Sequence, residues 1–140
     1  MRAALSLTIV VISLALFGCK NDDAQSSDKT ETILRDIVDE VVPTLPMQVD
    51  QITTLYGVRV DMTSPATLVY QFRIDRSYDL GSMNLDSLIA ERERQAFNYY
   101  CSQPAIAPLR DLGVSFEYNY SARDMTYLFS VVMHPRECNA

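Results

Sequence analysis

The sequence predicts an α+β domain: a four-stranded antiparallel sheet of two hairpins, with two helices packed on one face, in the order α-β-β-α-β-β. Three observations carry this. Two segments place apolar residues at helical spacing, four others alternate apolar and polar residues with a period of two, and short turns join the strands in pairs. At 140 residues the chain has room for one ordinary domain and not for two.

The first helix is predicted from "ETILRDIVDEVV", where Ile33, Leu34, Ile37, Val38, Val41 and Val42 form one stripe between charges. Thr30 or Thr32 is placed to cap it, and Pro43 and Pro46 stop it. "PMQVDQIT" reads as either a helical turn or a strand. "TLYGVRVD" then sets Tyr56, Val58 and Val60 against Gly57, Arg59 and Asp61. In "ATLVYQFRID", Leu68, Tyr70, Phe72 and Ile74 oppose Val69, Gln71, Arg73 and Asp75. The short link between these strands predicts a hairpin. From Leu85 to Cys101 the pattern is helical, with Asn84 as cap, Leu88, Ile89, Ala96, Phe97 and Tyr100 facing inward, and "ERERQ" facing water. "AIAPLRDLG" reads as one short turn closed by Gly113. In the second hairpin Val114, Phe116, Tyr118 and Tyr120 share a face, "ARD" turns the chain, and "MTYLFSVVMH" returns. That last strand carries Tyr127, Phe129, Val131 and Met133 on one face and Leu128 and Val132 on the other, which predicts a central position in the sheet.

Ahead of the domain, residues 1–18 carry one positive charge at Arg2 and an apolar run from Ala3 to Phe17. That run is shorter than the roughly 20 residues a membrane-spanning helix needs and matches a signal-peptide core. It ends in Leu16-Phe17-Gly18-Cys19, which resembles the lipobox of bacterial lipoproteins, with Phe17 bulkier than the residue usual at its position. The resemblance implies a diacylglyceryl group on the Cys19 thiol, cleavage before Cys19 and acylation of the new amino terminus. Lys20, where Asp would favour the inner membrane, implies the outer membrane. A conventionally cleaved leader and an uncleaved anchor are the alternative readings. Residues 19–32 read as the lipidated cysteine and a flexible tether of roughly 20 Å reach, too polar to bury, and residues 33–140 as the single α+β domain.

With Cys19 assigned to lipid, Cys101 and Cys138 remain as an even pair, and in an oxidising compartment they are expected to form a disulfide. A metal site of Cys101, His134 and Cys138, or two free thiols, are the alternatives. No cofactor and no metal are expected.

A net charge of −6 without any basic run argues against nucleic acid. The single His134, four glycines and the lack of nucleophile-elbow or phosphate-loop patterns leave little basis for an enzyme. Tyrosine stands out, with eight in the chain and five at strand positions. Tyr118 and Tyr120 read as core; Tyr78 and Tyr99 are the candidate partner contacts. The stretches "NYYCSQP", "LGVSFEYNY" and "REC" resemble small exported bacterial proteins, a likeness that implies no activity. The expected role is a non-enzymatic protein-binding module, lipid-anchored at the periplasmic face of the outer membrane and serving an envelope protein partner. Secretion or pilus assembly, hydrolase inhibition and exclusion are the jobs considered. A small-ligand-binding lipoprotein and a small envelope hydrolase are the alternatives.

Overall fold

The computed structural model describes residues 21–75 and 84–139. Helix α1 (Asn21–Val41) leads into strand β1 (Met47–Gln48), then β2 (Thr53–Asp61) and β3 (Thr67–Ile74). Helix α2 (Leu85–Ser102), the short helix α3 (Ala107–Asp111), and strands β4 (Ser115–Ser121) and β5 (Tyr127–Met133) follow. The α+β class and the two main hairpins are as expected; the sheet's extent and connectivity differ.

The sheet has five strands in the order β1-β2-β3-β4-β5. The ambiguous stretch before β2 forms β1, paired antiparallel through Met47 and Leu55. Asp50 makes its turn: its Oδ1 accepts the Ile52 amide at 2.8 Å. The two hairpins meet along β3 and β4, which run parallel in the register Thr67 with Ser115 through Arg73 with Ser121. The expected all-antiparallel sheet is therefore corrected to a mixed one. The connection from Ile74 to Ser115 is long enough to be a crossover, and α2 is its helix, so β4 starts in the direction of β3.

This arrangement puts β3, rather than the last strand, at the centre. Leu68 and Val69, on opposite faces of β3, are both fully buried. Strand β5 is at the sheet's edge, and its two-sided apolar pattern has a local cause. The pairing steps from Tyr120–Phe129 to Ser121–Tyr127, leaving Leu128 as the extra residue of a bulge. Leu128 packs against the core, while Tyr127 is 62% exposed and Val132 faces out. A second bulge falls at Tyr56 in β2, so Leu55 rather than Tyr56 is in phase with buried Val58.

Both long helices join the same core, on the face bearing Leu68, Ile74, Phe116, Tyr118, Phe129 and Val131. Helix α1 contributes fully buried Leu34 with Ile33, Ile37, Val38 and Val41 around it; Val42 is exposed in the turn that follows. The helix begins at Asn21, so the segment expected as a tether is helical through Thr32. Thr30 and Thr32 are interior rather than caps, each donating its hydroxyl to the carbonyl four residues back, Ser26 and Asp28, at 2.9 Å. A Glu31–Arg35 pair supports the same turn, and a helix nucleated on Leu34 can propagate outward one bond per residue.

Helix α2 is capped as expected: Asn84 Oδ1 accepts the Ser87 amide at 3.1 Å. Helix α3 closes at Gly113, whose φ is 77°. The Val114 amide reaches back to the Leu109 carbonyl at 3.0 Å, which satisfies the helix end and aims the chain into β4.

Candidate functional site

Between α2 and the β1–β2 edge, the inner face of the sheet is left as a groove of about 440 Å³. Its floor is an aromatic ladder produced by the β3–β4 register, which sets Tyr70 directly beside Tyr118 and Phe72 beside Tyr120. The first pair stacks with ring centroids 5.5 Å apart and the second at 5.1 Å. Phe129 extends the stack from β5, 4.7 Å from Tyr120. Val49 and Leu55 line the groove from the strand side, and Gln95, Ala96 and Tyr99 from the helix.

One end is closed by a polar cluster built on Arg92. Its guanidinium donates to Asp50 Oδ2, Gln95 Oε1 and Thr53 Oγ1, each at 2.9 Å, and lies over the Tyr120 ring. Arg92 is 8% exposed although it belongs to the stretch expected to face water. The reason is spacing: Leu88, Arg92, Ala96 and Tyr100 follow each other at intervals of four, on one helical face. Phe97 falls one residue off that line and is 43% exposed, not inward. Burial alone would raise the Asp50 carboxyl, but hydrogen bonds from the Ile52 amide, Arg92 and Thr53 outweigh it and hold the group below the usual range. The cation that lines the groove is therefore already paired.

The tyrosines differ in their hydrogen bonding. Tyr100 donates to the Val114 carbonyl at 2.7 Å; burial pushes its hydroxyl up to about 12. Burial likewise pushes Tyr120 up to about 12 against the opposing pull of Arg92. Tyr70 and Tyr118 are both raised, by burial first and then by neighbouring phenols, Tyr99 among them. The Tyr118 hydroxyl is buried and makes no hydrogen bond among the described residues.

Of the residues singled out from sequence, Tyr99 is 48% exposed on the groove's rim. Cys19 and Tyr78 lie outside the described residues. Cys101 and Cys138 are bridged, Cα atoms 5.3 Å apart, tying the end of α2 to the turn after β5. Both sulfurs are thus occupied, and His134 Nδ1 shares a hydrogen bond with Ser115 Oγ at 2.6 Å, which leaves the alternative metal reading without its ligands. Among the described residues no three metal-ligating side chains cluster, and no helix is long and apolar enough to cross a membrane. Sequence reading missed Asp50, Thr53 and Arg92 as a cluster; the interval of four from Leu88 was the available signal for Arg92.

No protein-family model and no curated protein matches the chain. Three solved structures share its fold. One is a protein of Pseudomonas aeruginosa taken to be secreted, with a TM-score of 0.66 at 12% identity over 81% of this chain and 96% of the other. Another is the pilotin EpsS of the Vibrio vulnificus type 2 secretion system, at 0.63, 10% identity, 82% of this chain and 96% of the other. The third is the type II secretion system pilotin AspS of Vibrio cholerae, at 0.62, 10% identity, 83% of this chain and 98% of the other.

Proposed function

We propose that this protein is a non-enzymatic accessory of an envelope secretion machine, anchored to the outer membrane by lipid on Cys19, and that its groove holds an apolar helix of a protein partner. The observation that carries the binding role is the aromatic groove itself. The fold shared with two type II secretion pilotins supports placing the partner in a secretion machine.

The physics of the groove favours a helix over a strand. Its floor is β3 and β4, both interior strands whose backbone groups are already paired on each side. A docking segment on that floor meets side chains only, so a side-chain stripe at helical spacing is the matching shape. Stacked rings offer large, stiff contact area at low entropic cost, with Tyr99 on the rim as an amphipathic contact.

Two experiments test this reading. A photo-crosslinking amino acid at position 99 in living cells should give one dominant adduct with a secretion-machine component, absent when the crosslinker is at Arg59 on the opposite sheet face. Adducts with abundant porins alone would remove the secretion reading. Globomycin should leave an unprocessed precursor; normal maturation under the drug would remove the lipid anchor.

A further inference from the structure

Tyr118 carries one of the two buried polar atoms of the groove's lining that lack a hydrogen-bond partner among the described residues, the other being the Arg92 Nε. The tyrosine is 7% exposed, and it stands on the floor between Tyr70 and Tyr120. A buried polar group left unpaired lowers stability, and a phenylalanine would fill nearly the same space without that cost. The equivalent group on Tyr100 shows what this fold does with a structural tyrosine: it gives the hydroxyl a backbone carbonyl. Burial also keeps the Tyr118 phenol neutral throughout the physiological range, so it can both donate and accept.

The surroundings limit what could pair with it. Both terminal nitrogens of the Arg92 guanidinium are taken by Asp50, Thr53 and Gln95, and only its buried Nε–H lacks a partner among the described residues, so a carboxylate entering the groove meets a cation already paired with Asp50. The remaining lining near Tyr118 is aromatic and aliphatic, which disfavours any charged group. Tyr99, half exposed, lies close enough to push the pKa of both Tyr70 and Tyr118 further up, and as a rim side chain it is the group a ligand would move to reach the hydroxyl.

Resting on the groove reading above, we propose that the Tyr118 hydroxyl is a specificity-determining contact that reads one uncharged hydrogen-bonding side chain, Ser, Thr, Asn or Gln, within the otherwise apolar stripe of the docked helix. Among the described residues the free protein leaves this hydroxyl unpaired, and the complex satisfies it. An all-apolar helix leaves it unsatisfied and binds more weakly.

The test is selection from a phage-displayed library of amphipathic helices, randomised along the apolar stripe, on the full lipidated chain in detergent. Wild type should enrich helices with a single Ser, Thr, Asn or Gln at one fixed stripe position. Tyr118→Phe should enrich all-apolar stripes, and binding of the wild-type winners should fall roughly tenfold in that variant. All-apolar winners on both proteins would overturn this inference while leaving the groove reading standing. Failure to enrich any helix on folded wild type would remove the groove reading and this inference with it. Independently of ligand, Tyr118→Phe should raise Tm by a few degrees. A lowered Tm would show that the hydroxyl is already satisfied in the free protein, which also overturns the inference.

Discussion

Arg92 is the residue on which the groove's closed end depends. A guanidinium this buried is tolerated because Asp50, Thr53 and Gln95 accept hydrogens from both its terminal nitrogens and the Tyr120 ring lies beneath it, although its Nε–H has no partner among the described residues. Asp50→Ala leaves that cation unpaired and should destabilise the protein by about 2 kcal/mol, less than for a fully enclosed pair because Asp50 retains solvent contact. Adding Arg92→Met removes the stranded charge and should restore most of the loss; urea denaturation of the two variants checks both. The Asp50 carboxyl also gives a pH dependence. Its folded value is lowered, so its contribution is present above the unfolded value near 4 and disappears as pH falls through the folded one. Unfolding free energy should therefore drop less between pH 6 and pH 3 in Asp50→Asn than in wild type.

Local chain geometry accounts for most departures from the expected pattern. Helix α3 ends where Gly113 takes a left-handed conformation, and a Cβ there would meet nothing within 4 Å. Gly113→Ala should consequently cost about 1 kcal/mol, from backbone conformation alone. Thermal unfolding measures it, and a neutral substitution would contradict the assignment. The bulges at Tyr56 and Leu128 each insert one residue, and with a period of two that reverses which side chains face the core. Strict alternation consequently misplaces Tyr56 and Tyr127, while Val58, Val60, Phe129, Val131 and Met133, beyond each bulge, stay in phase. Asn84 and Gly113 were readable as helix ends because their hydrogen bonds are made within a few residues.

For the molecule as a whole, the Cys101–Cys138 bridge joins the groove's helical wall to the turn that follows the edge strand. It closes a 37-residue loop. Replacing both cysteines by Ser should lower stability by up to about 4 kcal/mol through the freed unfolded chain. Equilibrium denaturation of that variant, beside wild type with and without reductant, measures the effect. Because α2 is also held by the Tyr100–Val114 hydrogen bond and by Arg110 on the Tyr100 carbonyl, the groove should survive reduction. Binding of a selected helix should change less than twofold, on the reasoning that distant changes couple weakly to a packed site.

By itself the sequence determined the helices' inward stripes apart from Val42, Phe97 and Arg92, the two main hairpins, the caps at Asn84 and Gly113, and Tyr118 and Tyr120 as core. Each of these is set by periodicity or by bonds between near neighbours in the chain. It also supplied Tyr99 as an exposed side chain. Only the tertiary structure decided that β3 and β4 lie parallel, since a long connection permits either direction and the choice rests on how α2 packs. That single pairing brings Tyr70 beside Tyr118 and Phe72 beside Tyr120, residues more than forty positions apart. The aromatic floor, the Arg92 cluster that closes it and the Tyr118 hydroxyl left unpaired among the described residues all follow from contacts between residues far apart in the chain, which no local pattern encodes.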